Sequence, residues 1–381
     1  MRIGIDYTAA VQQGAGIGRY TRNLIRALAD LDSQNRYTLF LAGGWGEGDG
    51  LGSWPTNFRL RSVVLSDRWM HILWQRLRLP VPIQVITGQL DLYHSPDFVL
   101  PPTGRTPAIL TVHDLSFLRV PQFFVAGFRE YLERAVSRAV KNAHHILADS
   151  ESTRRDLVEL MEVAPERASV LYPGVEPRFR LIEDARVLDE VRARYALPDR
   201  FVLGLSTLQP RKNFDGLIKS FCQLLQVGHT HPEIENLHLV IGGGKGWLYE
   251  DTLALVKHLQ LERRIHLLGF VPDQDLPALY NLALVFAFPS WYEGFGLPVL
   301  EAMACGTPVV AANNSSLPEV VGQAGVLIDA GDMDALSQAL EKLVRNDLLR
   351  SRLVRAGQEQ ARRFTWEAAA ERLLGIYRAC Q

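Results

Sequence analysis

The chain has few cysteines and no long apolar run, and each shortage excludes a class of protein. Only three cysteines occur in 381 residues, at positions 222, 305 and 380. An odd number at such wide spacing argues against a disulfide framework or a cysteine zinc site and fits a reducing cytosol. No stretch reaches the roughly 18 apolar residues of a membrane span, and the first residues do not resemble a signal peptide. We therefore expect a cytoplasmic protein whose only membrane contact is peripheral.

Positive and negative charges nearly cancel. The chain carries 41 Lys and Arg against 42 Asp and Glu, a formal net charge of −1. A protein whose whole surface binds nucleic acid would be strongly basic, so that class is excluded. Hydrophobic residues make up 47% and charged residues 22%, as in ordered globular proteins. At roughly 150 residues per domain, the length predicts two to three domains.

Short apolar runs alternate with helical patterns along the chain. Predicted strands lie at residues 3–6, 37–41, 60–65, 90–94, 108–112, 145–148 and 169–171, and again at 201–205, 237–241, 265–268, 284–288, 308–311 and 326–328. Helical periodicity between them is clear at residues 20–29, 128–141, 214–225 and 333–344. This alternation predicts an α/β protein with parallel sheets covered by helices on both faces.

Two such series predict two doubly wound, Rossmann-like domains facing a central cleft, with ligands at the carboxyl ends of the strands. We place the boundary near residues 173–177, where two prolines and a glycine interrupt the pattern and an irregular charged stretch, 178–194, follows. The first domain is then 1–175 and the second 176–364. An amphipathic helix at 365–381 would pack back on the first domain.

A glycine-containing turn joins a predicted strand to a predicted helix at residues 288–301. The helix should begin near Pro298, since proline suits the first helical turn. Backbone N–H groups at a helix N-terminus favour a phosphate. Here they belong to Gly294, Phe295, Gly296 and Leu297.

Two glutamates flank this turn. Glu293 precedes it, and Glu301 lies about one turn into the helix. Carboxylates repel an anion that touches them, but they accept hydrogen bonds from neutral hydroxyls on either side of it. A molecule with hydroxyls flanking a diphosphate is a nucleotide sugar, so the pattern favours a nucleotide-sugar site. The alternative is that both glutamates are solvated surface charges.

Two adjacent cations, Arg211 and Lys212, follow the first strand of the second domain. That position is where a doubly wound sheet binds its ligand. A planar guanidinium and a compact ammonium together suit a departing diphosphate. Lysine is scarce, six against 35 arginines, so Lys212 is not explained by solubility alone. The alternative is a polar start to the helix at Phe214.

The spacing Glu293-x7-Glu301, the segment 210–213 (Pro-Arg-Lys-Asn) and the run 301–308 (Glu-Ala-Met-Ala-Cys-Gly-Thr-Pro) together resemble the retaining GT-B glycosyltransferases of family four. The resemblance covers essentially the whole chain. It implies a nucleotide-sugar donor and no bound metal. It also implies that Glu301 binds the ribose hydroxyls and Glu293 the transferred sugar, while the two cations and the amides of the turn hold the diphosphate.

The resemblance assigns further residues outside this turn. The backbone at Phe270 and Val271 would contact the base. His113 corresponds to a family histidine near the transferred sugar, where its imidazole would bind a hydroxyl. Taken by itself, a histidine at a strand end is more often structural. His94 also ends a predicted strand and is a weaker candidate for the acceptor site.

The glycine-rich stretch at residues 14–20 does not fit a dinucleotide site. Its glycines come about eight positions after the strand, and Arg19 replaces the final glycine of that motif. By the resemblance, Gly16 and Gly18 give flexibility to a loop near the donor phosphate and the acceptor. A plain helix entry is the alternative.

Two Asp-x-Asp strings, at residues 273–275 and 332–334, suggest a metal site at first sight. Each precedes a helical pattern, where an acidic residue caps the helix. We interpret both strings as caps and expect no metal and no cofactor besides the donor substrate.

Residues 68–80 combine two tryptophans, aliphatic side chains and three arginines. A helix over Trp69–Leu79 would either touch anionic lipid at a membrane surface or pack its aromatic face on the sheet. The composition favours neither interpretation.

The sequence therefore predicts a retaining sugar transfer from a nucleotide-diphosphate donor to a hydroxyl of a glycan or lipid-linked acceptor. The segments 16–20 and 112–117 resemble bacterial mannosyltransferases of polysaccharide assembly, which indicates GDP-mannose as the donor. Two alternatives remain: a sugar-nucleotide epimerase on the same fold, and a non-catalytic glycan-binding protein.

Overall fold

The computed structural model describes residues 1–14, 16–44, 54–77, 79–227 and 231–380. The chain divides into two compact units. The first comprises Met1–Leu118, Ala126–Gly174 and Thr365–Gln381, and the second comprises Arg119–Val125 and Val175–Phe364.

The strands are β1 (Arg2–Asp6), β2 (Arg36–Ala42), β3 (Phe58–Val63), β4 (Leu92–Ser95), β5 (Ala108–Val112), β6 (His145–Ala148), β7 (Ala168–Val170), β8 (Phe201–Leu205), β9 (His238–Gly242), β10 (Ile265–Gly269), β11 (Val285–Phe288), β12 (Val309–Ala312) and β13 (Val326–Ile328). Each predicted strand is confirmed, with its ends shifted by at most two residues. Buried apolar runs bounded by turn residues give a strong local signal in parallel sheets.

The helices are α1 (Thr8–Gln12), α2 (Gly16–Leu31), α3 (Asp67–His71), α4 (Gln84–Thr87), α5 (Ser116–Arg119), α6 (Ala126–Asn142), α7 (Glu151–Met161), α8 (Ala185–Arg194), α9 (Phe214–Val227), α10 (Pro232–Glu235), α11 (Glu250–His258), α12 (Leu276–Leu282), α13 (Leu297–Ala304), α14 (Leu317–Val321), α15 (Met333–Arg345), α16 (Asp347–Ala361) and α17 (Trp366–Ala379). A π-helical turn follows α3 at Ile72–Arg76, and 3₁₀ turns lie at Pro121–Phe123, Pro165–Arg167 and Pro210–Lys212. Among the described residues, none of the helices combines the length and the apolar character needed to cross a bilayer.

The sheet of the first unit has seven parallel strands in the order β3-β2-β1-β4-β5-β6-β7. The order reverses between β1 and β4, which makes their carboxyl ends the expected ligand edge. Helix α17 packs on α2 in the same core, where Leu24, Leu373 and Tyr377 are buried. The C-terminal helix is therefore part of the first unit.

The sheet of the second unit has six parallel strands in the order β10-β9-β8-β11-β12-β13. Its order reverses between β8 and β11, so the loops after these two strands meet at the ligand edge. Helices α9 and α15 pack against each other in its core, with Leu217 and Leu340 fully buried.

A short segment from the middle of the chain, Arg119–Val125, belongs to the second unit, which the sequence division did not separate. The Phe123 ring stacks on Trp291 at 5.8 Å between centroids, and the Phe123 carbonyl accepts a hydrogen bond from Trp247 Nε1 at 2.7 Å. One ring contact and one hydrogen bond, both to residues more than 120 positions away, fix this segment. Local sequence carries no signal for such pairings.

The stretch 178–194 was predicted to be irregular, but α8 occupies its second half. The Asp184 carboxylate caps this helix by accepting from the Arg186 backbone N–H at 3.0 Å. Only Val191 is buried along α8. A helix with so narrow an apolar face gives a weak periodic signal.

Residues 16–20 of the glycine-rich stretch are helical rather than a flexible loop, which corrects the predicted role of Gly16 and Gly18. Both Gly16 and Gly18 lie in α2. A Cβ on Gly18 would stand 1.8 Å from the Gln13 carbonyl oxygen and 2.8 Å from that of Ala9. Gly18 is therefore required by the close approach of α2 to the backbone of α1.

Gly18→Ala should destabilise the first unit by about 2 kcal/mol or more, because the added methyl group forces α1 and α2 apart. Gly16→Ala is the matched control, since a Cβ at Gly16 meets nothing within 4 Å. It should change the free energy of unfolding by no more than about 0.5 kcal/mol. Chemical denaturation measures both, and equal effects would contradict the packing role of Gly18.

Candidate active site

The loops after β8 and β11 form one polar cluster at the switch point of the second sheet. Because the two strands are parallel neighbours, both loops leave the sheet at the same edge. The 3₁₀ turn Pro210–Lys212 follows β8, and the backbone N–H of Trp291 donates to the Arg211 carbonyl at 2.9 Å. The predicted cations and Glu293 are thereby brought together.

Glu293 binds both cations. Lys212 Nζ lies 2.6 Å from Glu293 Oε1, and Arg211 Nη1 lies 3.3 Å from Oε2. Arg211 Nη1 also donates to the Tyr292 carbonyl. The Lys212 ammonium sits 5.5 Å from the centroid of the Phe288 ring. None of the three charged side chains is more than 10% exposed.

The protonation of this cluster follows from its charges. Burial would raise the pKa of the Glu293 carboxyl, but Lys212 and Arg211 outweigh burial and hold that pKa below its usual value of 4.5. Two cations against one carboxylate leave a net charge of +1. A buried positive excess at a ligand edge suits an anion.

Asn213 fixes the relative position of the two loops, a role that sequence reasoning missed. Its backbone is left-handed, with φ 56°. Its side-chain Nδ2 donates to the carbonyls of Pro289 at 3.0 Å and Ala330 at 2.7 Å. Its Oδ1 accepts from the Gly216 N–H at 3.2 Å, near the start of α9. Among residues other than glycine, asparagine is favoured in this backbone conformation and also caps helices, which is the signal available in the sequence.

Two serines, also missed, hold the turn before α13. Ser316 Oγ donates to the carbonyls of Glu293 at 2.9 Å and Phe295 at 2.7 Å. Ser315 Oγ accepts from the Glu293 N–H at 2.9 Å. Both serines follow β12, so only the sheet order brings them to this turn.

Helix α13 begins at Leu297, one residue before the predicted start at Pro298. The predicted anion-binding residues Gly294, Phe295 and Gly296 form the turn that leads into it. Gly296 is the N-cap with φ 115°, and a Cβ there would also lie 2.8 Å from a Leu317 methyl group. Glycine is therefore needed at this position.

Glu301 lies in a different environment from Glu293. It is 1% exposed, and its Oε2 accepts a hydrogen bond from the Tyr280 hydroxyl at 3.0 Å. Tyr280 belongs to α12, so the pair joins α12 to α13. Nothing in the sequence around Tyr280 pointed to this contact.

The residues predicted to contact the base follow β10 at the sheet edge. Gly269 ends this strand with φ 69°, and the chain turns there. Phe270 is 69% exposed, whereas Val271 is buried. Phe270 is thus available to a ligand, while the Val271 side chain belongs to the core.

In the first unit, His113 follows β5 and both of its ring nitrogens have protein partners. Nδ1 lies 2.8 Å from Asp149 Oδ2, and Nε2 lies 2.9 Å from the Pro96 carbonyl oxygen. Burial lowers the pKa of His113, but the Asp149 carboxylate outweighs burial and raises it to about 9. The ring is therefore a cation that donates twice. Contrary to the prediction, a sugar hydroxyl could bind this imidazole only by displacing the Pro96 carbonyl.

Comparisons with known proteins agree with this architecture. Residues 14–179 match Glycosyltransferase Family 4, and residues 189–360 match glycosyl transferases group 1. Over 376 residues the chain is 31% identical to O-antigen chain mannosyltransferase B from Escherichia coli, which covers 95% of this chain and 96% of that protein. The chain belongs to glycosyltransferase family four.

Solved structures show the GT-B fold. Sucrose-phosphate synthase from Thermosynechococcus elongatus matches with a TM-score of 0.76 and 20% identity, over 100% of this chain and 98% of that one. HepE from Anabaena, in complex with UDP and glucose, matches with a TM-score of 0.75 and 20% identity over 100% of both chains. The predicted family and fold are thereby confirmed for this glycosyltransferase.

His94 of the glycosyltransferase is structural, so its weaker candidacy for the acceptor site was wrong. Its side chain is fully buried, and its ring nitrogens lie 2.7 Å from the Tyr377 hydroxyl and 3.0 Å from the Thr111 hydroxyl. Burial lowers the pKa of His94 to about 3, so the ring is neutral. It connects α17 to the sheet.

The capping interpretation of the Asp-x-Asp strings is confirmed for one string and wrong for the other. Asp332 accepts from the Ala335 N–H at 2.8 Å and caps α15. Asp275 precedes α12 without capping it, because its buried carboxylate binds Arg194 and the Tyr195 hydroxyl, each at 2.6 Å. Among the described residues, no group of three His, Cys, Asp or Glu is arranged to hold a metal.

The stretch predicted as one helix over Trp69–Leu79 consists of α3 and the π-helical turn, which ends at Arg76. Arg78 lies outside the described residues. The two tryptophans differ: Trp74 is 8% exposed and its Nε1 donates to the Val81 carbonyl at 3.1 Å, whereas Trp69 is 56% exposed. One tryptophan therefore packs in the protein and the other faces solvent.

The His113–Asp149 pair should make stability depend on pH. The pKa of His113 is raised from its ordinary value of 6.5 to about 9. The pair's contribution is fully present below pH 6.5 and is lost as the pH rises through 9. The free energy of unfolding should fall by on the order of 1–3 kcal/mol across this window, and His113→Asn should abolish the fall.

The measurement is chemical denaturation between about pH 6 and 10. His144→Asn is the matched control, since His144 is an exposed histidine of the same unit. It should retain the wild-type pH dependence. An unchanged slope in His113→Asn would show that the pair does not carry the effect.

Proposed function

We propose that this glycosyltransferase moves mannose from GDP-mannose to a hydroxyl of a glycan or lipid-linked acceptor, with retention at the anomeric carbon and without a bound metal. The relatives support the sugar. Besides the 31% identical mannosyltransferase, a serotype-specific mannosyltransferase of Escherichia coli, WbdA, is 30% identical over 285 residues. Those residues span 73% of this chain but only 34% of that larger protein.

The observation that carries the proposal is the pair of buried cations on Glu293. Transfer breaks the bond between the anomeric carbon and the diphosphate oxygen, so negative charge develops on the leaving diphosphate. Arg211 and Lys212 are positioned to stabilise that charge, the role that a metal ion plays in other enzymes. The donor diphosphate would share these cations with Glu293 or displace it from them.

Given retention, the same contacts favour a mechanism without a covalent intermediate. A double displacement needs a free carboxylate as nucleophile. Glu293 is bound to two cations, which lowers its nucleophilicity, and Glu301 accepts a hydrogen bond from Tyr280. Attack of the acceptor hydroxyl from the face that the diphosphate leaves is therefore favoured. The acceptor proton passes to the departing phosphate oxygen.

The two alternatives make different predictions. An epimerase would convert the donor sugar with no acceptor present, and a glycan-binding protein would leave the donor intact. Product analysis without and with an acceptor separates all three.

Arg211→Ala and Lys212→Ala should each lower kcat with GDP-mannose by about 10²–10³, because each removes one stabiliser of the leaving group. Lys219→Ala removes an exposed lysine from α9 of the same unit and should retain wild-type turnover. EDTA should leave the wild-type rate unchanged. Wild-type turnover in both cation variants, or a chelated enzyme rescued by Mn²⁺, would contradict this mechanism.

Substitution of Glu301 and of Glu293 should have different effects on donor binding and turnover. Glu301→Gln should weaken GDP binding and erase a preference for ribonucleotide over 2′-deoxyribonucleotide donors, since a site built for a hydroxyl discriminates against its absence. Glu293→Gln should lower turnover and relax sugar choice without weakening GDP binding, because it leaves the cations in place. Calorimetry measures the affinity of each variant for GDP, and kinetics with 2′-deoxy donors measure the donor preference. The reverse pattern would assign the ribose to Glu293 and the transferred sugar to Glu301.

We also propose peripheral contact with the inner face of the plasma membrane through the segment Trp69–Leu79. Trp69 and Leu77 are 56% and 59% exposed and adjoin exposed arginines. Trp69→Ser with Leu77→Ser should reduce sedimentation with phosphatidylglycerol vesicles at low salt. Leu31→Ser removes an apolar side chain that is 46% exposed on the same unit and should bind as wild type. If the wild type, the double variant and Leu31→Ser all bind vesicles equally, the segment does not contact the membrane and only packs within the protein.

A further inference from the structure

A basic cavity lies in the first unit, whereas the proposed donor site lies in the second. Its volume is about 710 Å³, within the range of sites for small ligands. Four arginines line it against a single acidic residue, Asp67: Arg68, Arg76, Arg134 and Arg138. This excess of positive charge occurs in a chain whose net charge is −1.

The cavity has two walls that the sequence places far apart. Arg68 belongs to α3 and Arg76 to the π-helical turn, whereas Arg134 and Arg138 lie one turn apart on α6. His71 Nδ1 and the Tyr131 hydroxyl, 3.1 Å apart, join the walls. A hydrogen bond between the walls holds the arginines around a common space.

The one acidic group of the lining is already engaged. Asp67 Oδ1 lies 3.3 Å from His71 Nε2. Burial lowers the pKa of His71, but Asp67 and other nearby carboxylates outweigh burial and raise it. Asp67 therefore neutralises His71 rather than the arginines.

Three of these arginines, Arg68, Arg76 and Arg134, keep most of their charge available. Arg134 pairs with Glu130 at 3.4 Å, but these side chains are 75% and 59% exposed, and such surface pairs are weak. Neither Arg68 nor Arg76 has an ion pair within the part of the chain that the structure describes. Like charges around one cavity repel each other unless an anion occupies it.

We propose that this cavity binds a phosphate or diphosphate group carried by the acceptor. The planar guanidinium group suits bidentate contacts to phosphate oxygens, and the Tyr131 hydroxyl adds a neutral donor. The assignment to the acceptor rests on the proposed function, whereas the binding of phosphate does not. The group belongs either to a soluble sugar phosphate or to a lipid-linked saccharide.

A small polar cleft of about 20 Å³ adjoins this cavity. Asp67 and His71 line both spaces, and the cleft is also lined by Asp6 and Asp97, which lie at or just after the carboxyl ends of β1 and β4. That edge is the switch point of the first sheet, where a doubly wound domain binds its ligand. The arginine-lined cavity therefore lies next to the expected ligand edge of the first unit.

The first test is calorimetry with inorganic pyrophosphate. All proteins carry Lys212→Ala, so that the cation pair of the second unit contributes little. Arg68→Gln with Arg134→Gln should weaken binding at least tenfold. The matched control is Arg105→Gln with Arg155→Gln, which removes two exposed arginines of the same unit outside the cavity and should change the Kd less than twofold. Equal weakening in both pairs, or no binding at all, would overturn the proposal.

Phosphatidylglycerol vesicles with and without a polyprenyl diphosphate distinguish the source of the phosphate. If the variant loses pyrophosphate binding but keeps the tighter binding to vesicles that contain the polyprenyl diphosphate, the cavity takes a soluble sugar phosphate; if it loses both, the cavity takes a lipid-linked group. If it loses only its binding to plain phosphatidylglycerol vesicles, the arginines contact a membrane surface and the proposal is wrong. Melting temperatures confirm that each variant is folded.

Acceptor kinetics separate this proposal from the proposed function. For mannose 1-phosphate as acceptor, Arg68→Gln with Arg134→Gln should raise KM at least tenfold and leave kcat near wild type. For neutral methyl mannoside, the variant should match the wild type. If the wild type glycosylates neither acceptor, these two acceptors are not its substrates, and pyrophosphate binding alone decides whether the cavity takes phosphate.

Discussion

Parallel pairing of β8 with β11 brings two loops, about 80 residues apart in sequence, to one edge of the second sheet. At that edge the Glu293 carboxylate balances Arg211 and Lys212, and all three groups are nearly buried. Burial of two like charges is costly, and the carboxylate lowers that cost in the absence of a bound anion. The surrounding contacts hold this cluster in place: Asn213 bonds both loops, and Ser316 fixes the turn that carries Glu293.

The first unit uses the same edge of its sheet differently. His94 lies in β4 and His113 directly follows the neighbouring strand β5, but their pKa values are shifted in opposite directions. Burial, with a smaller contribution from the His113 charge, keeps His94 neutral, whereas the Asp149 carboxylate keeps His113 charged. The neutral ring ties α17 to the sheet, and the charged ring ties β5 to the loop after β4. Nearby carboxylates, Asp149 above all, thus decide the charge state of the His113 imidazole.

Local charge, rather than net charge, distinguishes the two units. The near-zero total conceals a buried cation pair in the second unit and four arginines around one cavity in the first. Both arrangements suit phosphate groups, and a transferase that moves a sugar from a nucleotide-diphosphate donor to a phosphate-bearing acceptor would use both. The arginines on the cavity are more exposed than the donor cations, so salt should screen their contribution more strongly.

The sequence by itself determined the elements and the family. Every strand was predictable because a strand buried on both faces is an uninterrupted apolar run between turns. The turn at 288–301 was predictable because its glycines and proline have local backbone requirements. Only the tertiary structure decided what the polar side chains contact. Asp275 binds residues at the end of a helix about 80 positions earlier instead of capping its own helix. Gly18 is required because α2 lies close to the backbone of α1, and Tyr280 in α12 donates a hydrogen bond to Glu301 in α13. Periodicity and capping are signals within a few residues, whereas these partners are distant in sequence. They are brought together by the strand order and the helix packing of the folded chain.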